Sequence, residues 1–371
     1  MPANFDFISK GNQTGDAVIE PERPIIDCHH HLWLTPESVL TAMEQQDTVA
    51  ARTLAAMYRA KNRYLLDEFL RDITTGHNLR ATVYVESGSM YRTSGPPEYR
   101  SVGEVEFANG VAATSASGHF GECQVAAGIV GGVDLSVGAQ VEELLEAQMA
   151  AAPARFRGVR SPISYDDDPS IRGFSSPRPH ILRDEKFRSG FACLQRLGLS
   201  FDAWLFQSQL GELQQLARDF PDTTIIVNHI GGPLPVSVCG ETEAQRFKIW
   251  RDRIASLATC PNVFLKLGGL GIPFFGFAST QAEPRFTSEQ LAEEWRPYIE
   301  TCIEAFGAGR CMFESNYPVA WTAAPYAAIW NAFKRITLHA SETEKNALFF
   351  DSANEVYRLG LARCDDETDR R

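Results

Sequence analysis

Short segments with strand character alternate with segments of helical character along most of this 371-residue chain. The former are rich in β-branched and aromatic residues, and the latter carry apolar residues at helical spacing. Such alternation predicts parallel strands that are joined by crossover helices. The eight predicted strands cover residues 25–29, 80–86, 126–135, 156–160, 199–206, 223–229, 262–267 and 310–314.

Eight strand–helix units in a chain of this length predict an α/β protein with a single-domain (β/α)8 TIM barrel. Loop lengths favour the same fold, since the long irregular loops follow strands, whereas the links from helices to strands are short. In a TIM barrel this arrangement places the long loops at the C-terminal face, where active sites lie. A doubly wound open sheet is the alternative, and it is disfavoured because no GxGxxG motif follows the first strand.

We expect an extended N-terminal arm over residues 1–24, the barrel over residues 25–360 and a polar tail over residues 361–371. The net charge of -12 argues against nucleic acid or an anionic membrane surface as a partner. No apolar run reaches the roughly 18 residues of a transmembrane helix, and the N-terminus lacks the pattern of a signal peptide. The eight cysteines show no paired CxxC spacing, which predicts a reduced protein of the cytoplasm. The expected partner is a small-molecule substrate. The sequence leaves open whether the protein forms a homo-oligomer.

Three consecutive histidines end the first predicted strand. On strict alternation, His29 and His31 share a face with Asp27, while His30 packs behind the strand. Two imidazoles placed in this way can hold one metal ion, and imidazole suits Zn, Cu, Fe or Ni. A lone buried histidine is usually structural, but His229 ends another predicted strand and joins the pair if the strands close into a barrel.

Other polar residues follow the predicted strands, and their convergence at one end of a barrel is what an active site needs. Glu86 is a candidate for proton transfer, with a structural ion pair to Arg160 or Lys266 as the alternative. Arg160 is predicted either to bind a substrate carboxylate or to brace a neighbouring strand. The aromatic segment at residues 273–277 is predicted to be either a lid or part of the core. The remaining candidates at strand ends are Asp134, Asp202, Gln207, Glu314 and Asn316.

Five motifs occur in a characteristic order along the chain. They are IIDCHHHLW (residues 25–33), FRGVR (156–160), VNHIGGP (227–233), NVFLKLGGL (262–270) and RCMFESNYPV (310–319). Together they resemble the amidohydrolase superfamily over residues 25–359, in particular its branch of sugar-lactone and pyrone-dicarboxylate lactonases, which are TIM-barrel hydrolases. The resemblance implies a distorted barrel, in which His29 and His31 match the first-strand His-x-His motif and His229 matches the sixth-strand histidine.

The chain also departs from the family pattern. Asn316 stands where much of the superfamily has an aspartate that binds metal and acts as general base, and an amide cannot take up a proton at neutral pH. Ser161 stands where the family often has histidine, and Ala320 where it often has aspartate. No lysine ends the fourth strand to be carbamylated, which argues against a binuclear site.

These features predict a hydrolase that acts on a small carbonyl substrate, most plausibly a lactone or a related ester or amide, by metal- or histidine-assisted attack of water. The predicted cofactor is one divalent ion, zinc or manganese, on His29, His31 and His229, with a metal-free site as the alternative. Glu86, His229 and Asn316 are the predicted catalytic residues. Arg160 and Lys266 are predicted to bind the substrate, through a carboxylate or an enolate. The alternative functions are a decarboxylase or lyase of an aromatic or enolic acid, and a catalytically weakened binding protein.

Overall fold

Eight parallel strands form one sheet in the computed structural model, which describes residues 16–46, 49–168, 171, 176, 178–234 and 242–362. Each strand pairs with the next one along the chain, from the first to the eighth. The strands are β1 (Pro24–His30), β2 (Asn78–Val85), β3 (Gln124–Gly132), β4 (Phe156–Arg160), β5 (Ser200–Ala203), β6 (Ile225–Val227), β7 (Val263–Leu267) and β8 (Cys311–Phe313). The predicted TIM barrel is confirmed, and the doubly wound alternative is excluded because its strand order would reverse within the sheet.

Backbone hydrogen bonds close the barrel between β1 and the segment that follows β8. The amide of Asn316 donates to the carbonyl of His29 at 2.9 Å, and the amide of His31 donates to the carbonyl of Tyr317 at 2.8 Å. His30 and Tyr317 form a parallel bridge at the same place. The first histidine motif and the last strand end therefore lie side by side, although nearly 300 residues separate them in the chain.

A bulge in β1 changes which residues face the barrel interior. Asp27 pairs with Thr82 and His30 pairs with Tyr84, so three steps along β1 match two steps along β2. Because residues two apart in β2 share a face, Asp27 and His30 also share a face. The expectation from strict alternation that Asp27 lies on the same face as His29 is therefore wrong.

The contacts of Asp27 and His30 confirm that both side chains lie on the outer face of β1. The Asp27 carboxylate accepts hydrogen bonds from the Ser315 hydroxyl at 2.6 Å and from the Tyr326 hydroxyl at 2.9 Å. The ring of His30 stacks on Phe69 with 4.2 Å between centroids. Asp27 thus braces the seam of the barrel, and His30 packs behind the strand as predicted.

Helices surround the barrel, and their packed inner faces bury the apolar core. They are α1 (Glu37–Glu44), α2 (Val49–Ala60), α3 (Leu66–Ile73), α4 (Val102–Ser115), α5 (Val141–Ala151), α6 (Glu185–Leu197), α7 (Leu210–Asp219), α8 (Glu243–Leu257), α9 (Ser288–Phe306), α10 (Tyr326–Ile336), α11 (Glu342–Asn346) and α12 (Ser352–Val356). A π-helical turn at Ala347–Asp351 joins the last two, which the sequence predicted as one helix. None of the helices in the described part of the chain has the length and apolar character needed to cross a bilayer.

The region between β1 and β2 is more elaborate than the sequence predicted. The apolar spacing of residues 62–75 predicts one helix, but α3 is shorter, and a two-residue strand at Arg63–Tyr64 before it pairs with Trp33–Leu34. Helices α1 and α2, which lie between these two short strands, are not predicted by the sequence pattern. They matter for function because α2 contributes Leu54, Met57 and Tyr58 to the cavity described below.

The described part of the N-terminal arm is anchored on α10. Lys334 donates from Nζ to the carbonyls of Ile19 at 2.8 Å and Glu20 at 2.9 Å, and it lies 2.9 Å from Nδ1 of His77. The other ring nitrogen of His77, Nε2, lies 3.1 Å from the carbonyl of Ala327. Burial, together with the nearby Lys334 charge, lowers the pKa of His77 to about 4. Residues 1–15 of the predicted arm and 363–371 of the predicted tail lie outside the described residues.

We predict that His77 makes the fold less stable in acid. Its pKa is about 4 in the folded protein and 6.5 in the unfolded chain, so the unfolded chain binds the extra proton between these values and stability falls as pH falls through this window. The free energy of unfolding should drop by about 2 kcal/mol between pH 7 and pH 5 because of this one group. Glutamine cannot titrate, so the loss of unfolding free energy between pH 7 and pH 5 should be smaller by this amount in His77→Gln. Urea denaturation of both proteins at the two pH values measures it. An equal loss in both proteins would contradict the prediction.

Candidate active site

Three imidazoles converge inside the C-terminal end of the barrel. His29 is the last residue but one of β1, His31 follows the strand, and His229 follows β6, and all three are buried. Nε2 of His29 lies 3.2 Å from Nε2 of His31, and the ring centroids of His29 and His229 are 4.8 Å apart. The structure therefore brings together the three histidines that the sequence predicted as metal ligands.

The partners of the Nδ1 atoms determine which ring nitrogens are protonated. Nδ1 of His29 and Nδ1 of His229 each lie 2.7 Å from a different carboxylate oxygen of Glu314. Nδ1 of His31 lies 2.8 Å from the carbonyl oxygen of Val85. The hydrogen bonds of His229 to Glu314 and of His31 to Val85 place the proton of these two rings on Nδ1, which leaves their Nε2 atoms with a free lone pair. Oε2 of Glu314 has no hydrogen-bond partner among the described residues, and Nδ1 of His29 lies 3.3 Å from Nζ of Lys266.

Burial keeps these imidazoles neutral. It lowers the pKa of His29 and His31 well below the usual value of 6.5, and nearby Lys266 and Arg160 add to the effect. Burial also lowers the pKa of His229, against the opposing influence of Glu314. The three rings are therefore uncharged at neutral pH, and the Nε2 atoms of His29 and His31 lie 3.2 Å apart.

Glu314 adds a buried negative charge that no fixed cation balances. Its carboxylate is completely buried, and its ion-pair contacts among the described residues are with His29 and His229, which are neutral. Lys266 is also buried, but its Nζ pairs with Asp202 at 2.6 Å. Neutral imidazole nitrogens beside a buried carboxylate form an environment that favours a cation.

The residues present fit a divalent metal ion. One possible donor set is His29, His229 and Glu314, whose ligand atoms lie within 4.8 Å of one another. His31, the third predicted ligand, adjoins this group, since its Nε2 lies 3.2 Å from that of His29.

A cavity of about 260 Å³ opens above these residues. His31, His229 and Asn316 lie in its wall, and Glu86 and Arg160 form part of its side. Asn316 is buried, and both polar atoms of its amide lack a hydrogen-bond partner among the described residues. An unpartnered buried amide is costly, so its position in a cavity wall indicates that it serves a ligand or a water molecule.

The backbone around the site adopts conformations that are unusual for these residue types. His229, Ile230 and Asn316 have φ angles of 54°, 50° and 51° in the left-handed region, which is especially strained for a β-branched residue. The loop after β7 passes close to this turn, since a side chain on Gly269 would meet Nδ1 of His229 at 2.3 Å. The Gly-Gly pair of the NVFLKLGGL motif is thus explained by close approach to the site.

Glu86 and Arg160 form an ion pair beside the imidazoles. Nε of Arg160 donates to Oε1 of Glu86 at 2.5 Å, and Nη2 donates to the Glu86 carbonyl at 2.5 Å. The ion pair with Arg160, which was the structural alternative for Glu86, is thus present. Both residues also line the cavity. Lys266 lies elsewhere, beneath the imidazoles and outside the cavity lining, where Asn228 and Tyr357 also hydrogen bond to its partner Asp202.

The position of Lys266 does not suit a residue that binds substrate. It is fully buried, with Nζ at 2.6 Å from Asp202 and 3.3 Å from Nδ1 of His29. Oε2 of Glu314 is closer to Nδ1 of His29, at 2.7 Å, but makes no hydrogen bond with it. Lys266 therefore supports the floor of the site, and we do not carry its predicted role in substrate binding further.

A comparison with known families identifies the chain. The amidohydrolase family model matches residues 26–359, which is most of the sequence. The chain belongs to the amidohydrolase family. It is thus an enzyme of the superfamily that its motifs resembled.

Individual relatives and solved structures agree with this placement. The amidohydrolase is 35% identical to the uncharacterized protein y4mH of Sinorhizobium fredii, over 90% of this chain and 98% of that one. It is 28% identical to an L-fucono-1,5-lactonase of Burkholderia multivorans, over 59% of this chain and 70% of the relative. The crystal structure of an amidohydrolase from Burkholderia multivorans with bound zinc superposes with a TM-score of 0.65 at 21% identity, covering 91% of this chain and all (100%) of the other. At that identity the superposition shows the shared fold.

Sequence reasoning missed three residues that shape the site of this amidohydrolase. Glu314 was noted at a strand end but was given no role, and Trp204 was not singled out, although its ring lies 4.9 Å from that of His229. Glu104, on α4, was also missed because nothing in a helical segment marks a buried carboxylate. In the aromatic segment Phe275 is buried in the core and Phe274 lines the cavity, and the lid role stays a prediction.

Glu104 holds the loop that carries Glu86. Its Oε1 accepts hydrogen bonds from the backbone amides of Ser87 at 2.8 Å and Ser89 at 3.2 Å, and from the hydroxyl of Tyr84 at 2.9 Å. Burial and the nearby charge of Glu86 raise the pKa of Glu104 to about 7. Glu104 therefore acts on the site through the position of its neighbours.

We predict that Glu314→Gln weakens metal binding. The substitution removes the buried negative charge beside His29 and His229, so zinc affinity should fall by about tenfold or more. Calorimetric titration of chelator-treated protein with zinc measures this effect, and circular dichroism checks the fold. His119→Gln, which removes an exposed histidine, is the control, and equal affinities for the Glu314 variant and the wild type would contradict the assignment.

We predict that two substitutions of Glu104 differ in effect. Glu104→Ala leaves two backbone amides and a hydroxyl without their acceptor, which should lower the free energy of unfolding by about 3 kcal/mol. Glu104→Gln keeps a side-chain oxygen in place and should cost less than about 1 kcal/mol. Chemical denaturation of both variants tests the comparison. The interpretation fails if the glutamine variant is destabilised as strongly as the alanine variant.

Proposed function

We propose that this amidohydrolase hydrolyses a lactone of a sugar acid to the open-chain hydroxy acid. The observation that carries the proposal is Asn316, whose buried amide lacks hydrogen-bond partners among the described residues and faces a small cavity beside neutral imidazoles. Such a wall offers one donor, one acceptor and free nitrogen lone pairs to a carbonyl compound and a water molecule. The relative named L-fucono-1,5-lactonase supports the choice of a sugar lactone.

The reaction adds water across the bond between the acyl carbon and the ring oxygen. The oxygen of water attacks the acyl carbon, the bond to the ring oxygen breaks, and the ring oxygen leaves as a hydroxyl group after it gains a proton. Glu86 accepts a proton from the attacking water on Oε2, since Oε1 is held by Arg160, and it returns that proton to the ring oxygen. Asn316 orients the water through Oδ1 and donates from Nδ2 to a substrate oxygen.

His29, His31 and His229 are the residues that would hold a divalent ion, with zinc or manganese as the proposed metal. Such an ion polarises a bound carbonyl group and lowers the pKa of bound water. The zinc in the Burkholderia multivorans structure supports this assignment. The contribution of the chain itself is to keep Nε2 of His31 and His229 unprotonated, through the acceptors at their Nδ1 atoms, and to supply the charge of Glu314.

Arg160 is the proposed substrate-binding residue. Its Nε and Nη2 are occupied by Glu86, so Nη1 remains to donate to a hydroxyl or carboxylate oxygen of the substrate. The same contacts fix the plane of the guanidinium group, which reduces the entropy that is lost on binding.

A metal analysis combined with a substrate panel tests the function. Protein purified without added metal is analysed for its elements and is then assayed against aldonolactones and simple esters, with and without chelator. Ring-opened hydroxy acid as the product supports the proposal. Release of carbon dioxide from an aromatic or enolic acid would favour the decarboxylase alternative, and ligand binding without turnover would favour the weakened binding protein.

We predict that Glu86→Gln lowers kcat for the best lactone by about 10²-fold or more, because the amide cannot accept the proton of the attacking water. KM should change little, since Arg160 and Asn316 remain in place. Steady-state kinetics with a pH indicator measures both constants. Glu122→Gln, at an exposed glutamate remote from the cavity lining, provides the matched control. Full turnover by the Glu86 variant would rule out its proposed role.

A further inference from the structure

A second and larger depression adjoins the catalytic cavity. It has a volume of about 840 Å³, against about 260 Å³ for the cavity, and we call it the side groove. Its walls come from the loop after β2, the segment between β3 and α5, and the end of β4. Glu86, Arg160 and Trp204 line both spaces, so the side groove is continuous with the site of the proposed reaction.

The two volumes suit different parts of one molecule. Pockets for drug-sized ligands span about 300–1,000 Å³, so the cavity has room for one small ring, whereas the side groove accommodates a larger group. A lactone that places its reactive carbonyl beside His31 and Asn316 can direct a substituent past the Glu86–Arg160 pair into the side groove. Nothing in the proposed chemistry of a simple lactone uses this second space.

The charges of the side groove disfavour an anionic group there. Four carboxylates line it, whereas Arg160, the one basic side chain among its described lining residues, is already paired with one of them. The four carboxylates are those of Glu86, Glu98, Asp134 and Glu143. Carboxylates accept hydrogen bonds from hydroxyl groups, whereas a second anion would be repelled.

Apolar and aromatic surface lies among these acids. Tyr91 is 42% exposed and Val137 is 50% exposed, and both line the side groove. Tyr99 also lines it and donates its hydroxyl to Glu143 at 3.2 Å. Exposed rings beside carboxylates suit a ligand that has apolar C–H faces and hydroxyl edges, which is the character of a sugar ring.

We propose that the side groove binds a neutral, hydroxyl-bearing extension of the substrate, such as a second sugar ring joined to the lactone ring. The inference rests on the proposed lactonase function and names its substrate class. The preferred substrate is then the lactone of a disaccharide acid, and contacts in the side groove contribute to kcat/KM although they lie away from the reacting carbonyl.

The test compares three lactones on the full-length protein. They are gluconolactone, cellobionolactone as its neutral glucosyl derivative, and the corresponding derivative with a uronic acid as the second ring. The kcat/KM value should be about tenfold higher for the neutral disaccharide lactone than for gluconolactone, and it should fall again for the anionic one. Val137→Trp, which fills the side groove, should remove the advantage of cellobionolactone and leave gluconolactone hydrolysis unchanged. Val39→Trp, at a valine of similar exposure on α1, is the matched control.

The outcomes separate this inference from the proposed function. Hydrolysis of gluconolactone and cellobionolactone with equal kcat/KM, unaffected by Val137→Trp, overturns the side-groove proposal and leaves the lactonase function intact. If no lactone is hydrolysed, the proposed function fails, and the side groove is tested separately by calorimetry with cellobiitol, which cannot react. Binding of cellobiitol that Val137→Trp abolishes supports the side-groove proposal. That proposal is overturned if cellobiitol does not bind the wild type, or if the protein forms a dimer that covers Val137.

Discussion

The seam where β1 meets the end of β8 determines the architecture of the whole site. Two backbone hydrogen bonds, from Asn316 to His29 and from His31 to Tyr317, set the two chain segments in register. The bulge in β1 then turns His29 and His31 inward and leaves Asp27 on the outside to brace the seam through Ser315. Every proposed role at the centre of the barrel depends on this register, because a shift by one residue would exchange the two faces of β1.

The buried carboxylate of Glu314 supplies negative charge next to this seam. Glu314 lies 2.7 Å from the Nδ1 atoms of both His29 and His229 and accepts the hydrogen bond of His229. The negative charge that favours a cation thus comes from the residue directly after β8, two residues before Asn316. Asn316 therefore adds no further charge to a buried site, and its amide remains available to a neutral substrate and to water.

The Glu86–Arg160 ion pair lies between the catalytic cavity and the side groove. One side of the pair belongs to the small cavity with the imidazoles, and the other belongs to the side groove with its four carboxylates. Glu104 holds the loop that carries Glu86 through four hydrogen bonds from Ser87, Ser89 and Tyr84. A rigid partition of this kind allows a substituent on the substrate to be selected without movement of the residues that carry out the reaction.

The sequence by itself determined the barrel, since the alternation of strands and helices and the lengths of the loops are local properties of the chain. The sequence also predicted that His29, His31 and His229 come together, because the C-terminal ends of parallel strands meet at one face of any such barrel. Only the tertiary structure decided the rest. The bulge that moved Asp27 outward, the burial of Lys266 against Asp202 and the contact of Glu314 with two imidazoles arise between segments far apart in the chain. Spacing along a strand carries no information about such partners, because a side chain's role is set by what the folded chain places opposite it.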